Sequence, residues 1–344
     1  MQTQIYTYDT LYQAAKTLQE GGLVAFPTET VYGLGAMANN SEAVGKVFKA
    51  KGRPQDNPLI VHLAKPEDAK LVASSVSAMA ERLMEAFWPG PLTIILPVKP
   101  GAVSDKVTGG LDSVALRMPR QLETLLLIEM AGFPLVGPSA NLSGKPSPTK
   151  VEHVLHDFTN LIDGVVAARE ELTEIGVEST VIRPSERQIE ILRPGAITQS
   201  MLEAVVDVPV IERTAQEQVT SGQIISPGVK YRHYAPKQPV YQVAAQHTLD
   251  DWCEIIAELQ AKGEVIGLLA DDIIIEQLAS QAGIKACYSL GAANSPSQAS
   301  QRLYAGLRAL EEQPITLILA QGMPFEEAYQ AYENRLAKAS YRVI

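Results

Sequence analysis

Cationic side chains crowd one short stretch of an acidic chain. Lys49, Lys51 and Arg53 fall close together in a protein whose formal net charge is -10. A guanidinium offers a fixed fork of donors suited to phosphate or carboxylate, whereas an ammonium acts as a mobile point charge. The stretch continues through Gly52-Arg53-Pro54 and Asn57-Pro58-Leu59-Ile60-Val61-His62, where a glycine and two prolines stiffen the backbone around the charges, as a preorganised anion site requires. The same cations also suit the C-terminus of an ordinary surface helix, where the macrodipole favours positive charge. The residue types alone leave both readings open.

Other stretches carry polar groups at the ends of apolar runs. Gly137-Pro138-Ser139-Ala140-Asn141-Leu142-Ser143-Gly144 is small enough for backbone N–H groups and three polar side chains to approach a ligand, although an ordinary polar turn has the same composition. Thr28-Glu29-Thr30 tips one apolar run, and Glu178-Ser179-Thr180 and Arg193-Pro194-Gly195 border two others. Arg117 sits inside the apolar run Val114–Met118, where a charge requires a partner or a ligand. A structural ion pair is the competing explanation. The five histidines show no metal-ligand spacing, and His153 and His156 fall off the apolar stripe of their helix. No G-x-S-x-G elbow and no cysteine beside a matching histidine supports covalent catalysis.

The elements that position these residues follow from periodicity. Leu11, Ala14, Ala15 and Leu18 predict a helix between Thr10 and Glu20, and Leu23–Phe26 a short buried strand that opens into a shaped loop, Pro27–Gly35. Ser41 begins a helix with Val44, Val47 and Phe48 on one face. Strands are expected at Leu59–Leu63, Leu92–Leu96, Val114–Met118, Leu135–Gly137, Ser179–Arg183 and Ile189–Arg193, and helices within Pro66–Phe87, near Leu122–Met130 and after Thr149. The order is mixed α/β. Residues 1–202 form the expected first domain and 203–238 a linker ending in Ser226 to Pro236. Residues 239–344 alternate strand-like runs with helical stretches, which predicts a smaller parallel-sheet domain without a nucleotide fingerprint.

Bulk composition narrows the class. With 344 residues, 46% hydrophobic and 20% charged, the chain reads as a globular protein of two domains. Its acidity argues against non-specific nucleic-acid binding, including stable DNA binding. The isolated Cys253 and Cys287 suit a reducing compartment, and neither an export signal nor a membrane span is legible, so a cytoplasmic location is expected.

Taken together, the motifs resemble the YrdC-like family, and within it the long two-domain threonylcarbamoyl-AMP synthases. The resemblance rests on Phe26-Pro27-Thr28-Glu29-Thr30-Val31-Tyr32-Gly33-Leu34, Lys51-Gly52-Arg53-Pro54 with Asn57-Pro58-Leu59, Ser139-Ala140-Asn141, and the stretch from Ser226-Pro227-Gly228 to Arg232-His233-Tyr234-Ala235-Pro236. It implies a twisted mixed α/β sheet around a basic cavity, covered by the linker, and a Rossmann-like second domain. It also implies synthesis of L-threonylcarbamoyladenylate from L-threonine, bicarbonate and ATP with release of pyrophosphate, the first step of a tRNA modification completed by a downstream transferase.

By position, the resemblance makes Lys51 and Arg53 the catalytic signature. It assigns threonine to Thr30, His62, Arg117, Ser139 and Ser179. ATP falls to Lys51, Arg53, Asn57, Ser113, Asn141, Thr149 and Arg193, with Tyr231 and Arg232 of the linker closing over the nucleotide. Magnesium is expected to arrive on the phosphates, with no dedicated protein site. Two other functions fit parts of the pattern: a non-catalytic RNA-binding module, and a carbamoyl-adenylate enzyme using carbamoyl phosphate.

Overall fold

The computed structural model describes residues 2–168, 173–214 and 234–344. The chain divides into two compact units: Met1–Ser143, Pro148–Thr173 and Glu178–Tyr231 make the first, and Gly144–Ser147, Glu174–Val177 and Arg232–Ile344 the second. The first contains β1 (Gln4–Tyr6), β2 (Val24–Phe26), β3 (Gly33–Met37), β4 (Ile60–His62), β5 (Leu92–Pro97), β6 (Ser113–Arg117), β7 (Leu135–Val136), β8 (Gly164–Val166), β9 (Thr180–Pro184), β10 (Ile189–Arg193) and β11 (Val210–Glu212). They form one mixed sheet of 11 strands in the order β1-β8-β2-β3-β7-β4-β6-β5-β9-β10-β11.

Alternation sorts the central strands into two faces. Val61, Ile94, Leu96, Val114, Leu116 and Ile182 join the main core with Val44, Val47 and Phe48 of the helix Ser41–Lys51 and Leu83 of the helix Ala78–Phe87. Ile60, Ile95, Ala115, Val181 and Leu192 make a separate small apolar cluster. Side chains two positions away along each strand share that second face, which places His62, Thr93, Ser113, Arg117 and Ser179 around the small cluster. The parallel register sets His62 beside Arg117 and Ile60 beside Ala115. An irregularity in β10 between Ile191 and Arg193 leaves Leu192 in the small cluster and Arg193 opposite Val181. Such bulges commonly re-aim side chains beside a site.

The helix Ser41–Lys51 is capped by the Asn40 side chain, which accepts from the N–H groups of Glu42 and Ala43 at 3.1 and 3.0 Å, and ends at Gly52 with φ 61°. Val44, Val47, Phe48 and Lys51 lie on one buried stripe, so Lys51 points inward while Lys49 is exposed.

The second unit is a five-stranded sheet of β12 (Val240–Val243), β13 (Ile266–Ala270), β14 (Ile284–Ser289), β15 (Leu317–Gln321) and β16 (Arg342–Val343), in the order β14-β13-β15-β12-β16. Every pairing in it is parallel, and helices alternate with the strands. A mixed sheet and a smaller parallel α/β sheet are the architecture expected from the sequence. Among the described residues, no helix is long and apolar enough to cross a membrane.

Some elements depart from the sequence reading. Gly33–Met37, read mostly as loop, is a strand paired with both β2 and β7. Its glycines hid it: a Cβ on Gly35 would lie 2.6 Å from the Val24 carbonyl, so the close pairing needs a residue of low strand propensity. The stretch assigned to the linker begins with structure of the first unit, because β11 pairs with β10. Three residues are too few to establish a period.

Candidate active site

Lys51 joins two of the motifs. Its buried Nζ donates to the Ser139 carbonyl and, at 2.6 Å, to the Asn141 carbonyl, while the Lys51 carbonyl accepts from the Ser143 N–H at 2.9 Å. The ammonium therefore holds the Ser139–Asn141 loop closed from beneath. That loop is also tied to the strand-end loop, because Ala140 N–H donates to the Tyr32 carbonyl and Tyr32 N–H to the Pro148 carbonyl. Arg53, half-buried, donates from Nη2 to the carbonyl of Pro58 at 3.1 Å and more weakly to that of Asn57. Among the described residues, the buried Asn57 side-chain carbonyl has no hydrogen-bond partner.

A second group surrounds Arg117. Its Nη2 meets Glu29 at 2.7 Å with both side chains almost wholly buried, its Nη1 donates to Thr30 Oγ1 at 2.8 Å, and its Nε to the Gly90 carbonyl. The other oxygen of Glu29 accepts from the Arg120 N–H at 3.0 Å. Thr28 Oγ1 braces the turn by donating to the Val31 carbonyl and contacting Thr30 Oγ1 at 2.8 Å. Arg117 is thus both ion-paired and placed beside two of the residues assigned to threonine.

His62 packs edge-on against Phe26 with ring centroids 5.3 Å apart. Burial pushes its pKa well below 6.5 and the Arg117 charge pushes it the same way, against a smaller opposing hydrogen bond to the Ile60 backbone. The ring is neutral at physiological pH. Its Nδ1 has no hydrogen-bond partner among the described residues.

A third group lies beyond β5. Arg193 donates from Nε to the Ser179 carbonyl and from Nη2 to Ser179 Oγ, both at 3.1 Å, and Ser179 Oγ lies 2.8 Å from Thr93 Oγ1. Ser113 is half-buried at the start of β6, opposite Pro97. Thr149 is fully buried, and its N–H donates to His153 Nδ1 at 3.2 Å. His153 is therefore not off the buried face as the sequence pattern suggested: it lies inward with Val154, Asp157 and Phe158, satisfied by the preceding turn. Tyr231 and Arg232 lie outside the described residues.

Glu29 and Thr93 were not assigned roles from sequence. Glu29 stood in a quoted motif, and the cost of a buried Arg117 called for such a carboxylate; Thr93 is the polar residue of an otherwise apolar strand. Among the described residues, no group of three or more His, Cys, Asp or Glu side chains is gathered for a metal.

Residues 16–195 match the family model Sua5_yciO_yrdC, described as Telomere recombination, and residues 197–340 match that of the threonylcarbamoyl-AMP synthase C-terminal domain. A Bacillus subtilis protein named threonylcarbamoyl-AMP synthase is 43% identical over 95% of this chain and 92% of its own length. The chain belongs to the threonylcarbamoyl-AMP synthase family. A Pyrococcus abyssi member is 40% identical over 96% of this chain and 94% of its own. The crystal structure of P. abyssi Sua5 complexed with L-threonine is similar across 99% of both chains, with a TM-score of 0.89 and 38% identity. Both domains of this family are therefore represented here.

Proposed function

We infer that this chain is an L-threonylcarbamoyladenylate synthase, a nucleotidyltransferase that joins L-threonine, bicarbonate and ATP and releases pyrophosphate. The observation that carries this reading is the end-to-end similarity to a family member whose crystal structure holds L-threonine. The geometry is suited to the chemistry. Threonine's amine and bicarbonate yield a carbamate with loss of water. A carbamate oxygen then forms a bond to the α-phosphorus of ATP as the bond to the pyrophosphate oxygen breaks. Both reactants are anionic, so catalysis rests on neutralising charge and aligning atoms, which cations and small donors supply without a covalent nucleophile.

In this reading Arg117, steadied by Glu29 and Thr30, receives the threonine carboxylate through its remaining N–H groups, with neutral His62 and Ser179 beside it. Arg53, Asn57, Ser113, Asn141, Thr149 and Arg193 receive the nucleotide, and Lys51 sets the loop that carries Ser139 and Asn141. The buried oxygen of Asn57 and Nδ1 of His62 are atoms that a bound substrate would satisfy. The two remaining residues assigned to ATP, Tyr231 and Arg232, lie outside the described residues. Magnesium bound to ATP would offset phosphate charge; Arg53 and Arg193 would meet the anionic complex, and Glu29 is already engaged by Arg117. The product passes to a transferase acting on tRNA in the cytoplasm.

The test is transfer of radiolabelled bicarbonate into an acid-labile adenylate by the purified chain. Label appearing only with both ATP and L-threonine supports the synthase; label appearing without threonine points to other carbamoyl chemistry.

A further inference from the structure

The second unit takes in two short stretches from the first half of the sequence, Gly144–Ser147 and Glu174–Val177, besides residues from Arg232 onward. One helix, Pro296–Glu311, meets both short stretches. Arg308 donates from Nε and Nη2 to the Pro146 carbonyl at 3.1 and 2.6 Å. Glu311 Oε1 accepts from Lys145 Nζ at 2.7 Å and from the Lys237 N–H at 2.8 Å, and the Glu311 carbonyl accepts from Gln238 Nε2 at 3.1 Å. Tyr304 meets the Tyr234 ring with centroids 5.2 Å apart. Gly176 has φ 76°, and a Cβ there would lie 2.3 Å from the Gln301 Cα, an approach open only to glycine. Gln301, Tyr304, Arg308 and Glu311 recur at helical spacing on one face.

Each received stretch continues directly into residues assigned to the substrates. Asn141 and Thr149 flank Gly144–Ser147, and Ser179 follows Val177. Fixing a chain within two or three residues of a ligand contact removes most of that contact's conformational freedom before the ligand arrives. The gripping groups are themselves held, since Arg308 and Glu311 are buried.

We propose that this face of the helix Pro296–Glu311 is a positioning surface for the substrate site. Arg308 and Glu311 are positioning residues that act through the main chain of Pro146 and the side chain of Lys145. The proposal rests on the synthase reading.

The test uses the full chain with Arg308→Met, Glu311→Gln and the conservative Arg308→Lys. Three quantities are read: the melting temperature, the Kd for magnesium-ATP by equilibrium dialysis, and the KM for ATP in threonine-dependent pyrophosphate release. The expected result is a rise of about tenfold in both Kd and KM for Arg308→Met and Glu311→Gln, with most of the loss restored in Arg308→Lys. A fall in melting temperature with Kd and KM unchanged in the folded fraction would reduce the contacts to ordinary packing and overturn the proposal. Should Arg308→Met not fold, the near-isosteric Glu311→Gln decides on the same readouts. Wild-type protein without threonine-dependent release sinks the synthase reading instead, and dialysis still decides whether the helix governs nucleotide binding.

Discussion

Lys51 Nζ donates to the main-chain carbonyls of Ser139 and Asn141, 88 and 90 residues further along the chain. A helix stripe that is otherwise Val44, Val47 and Phe48 thereby ends in a cation whose task is to shape a loop. Two sequence motifs become one structural unit through this single side chain.

Lys51→Met keeps the stem and removes the donor. A buried carbonyl and a partly buried one lose a charged partner, so stability should fall by about 3 kcal/mol, read by urea unfolding. Pyrophosphate release should fall by about a hundredfold in the protein that remains folded, because the loop bearing Ser139 and Asn141 loses its geometry. Wild-type turnover from a folded Lys51→Met protein would count against the proposed role of the loop.

Glu29→Gln tests the buried ion pair. Arg117 would keep Thr30 and the Gly90 carbonyl but lose its counter-charge, a change expected to cost about 3 to 5 kcal/mol. The KM for threonine should change more than that for ATP, since Arg117 faces the amino acid in this account. Equal changes in both would place Arg117 outside the threonine site.

His62 gives the pH dependence. It folds neutral with a pKa well below 6.5, so the unfolded chain binds a proton that the native state does not as pH falls through 6.5. Stability attributable to His62 is therefore fully present above that pH and is lost below it, at up to about 1.4 kcal/mol per pH unit. Urea midpoints between pH 7.5 and 5.5 should fall less steeply in His62→Gln than in the wild type; parallel profiles would refute the assignment.

The larger elements were legible because their periods were long enough to read. The helix Ser41–Lys51 and the strands β5 and β6 follow directly from apolar spacing, and Arg117 stood out as a charge within such a strand. Less visible were features set by contacts distant in sequence. The spacing of Lys51 on the buried stripe was available, but its carbonyl partners were not, and neither was the chain from Thr93 of β5 through Ser179, just before β9, to Arg193 of β10. The edge strands β1 and β16 are two or three residues long and carry too little pattern to register. The inward placement of His153 depended on a turn folding back onto the helix, which spacing within the helix does not encode.

The most direct measurement of the central claim is pyrophosphate release by the full chain with magnesium-ATP, comparing the complete mixture with L-threonine and bicarbonate omitted in turn. The account predicts release that requires both. Release that continues at the same rate without threonine, or none with all three present, would contradict it.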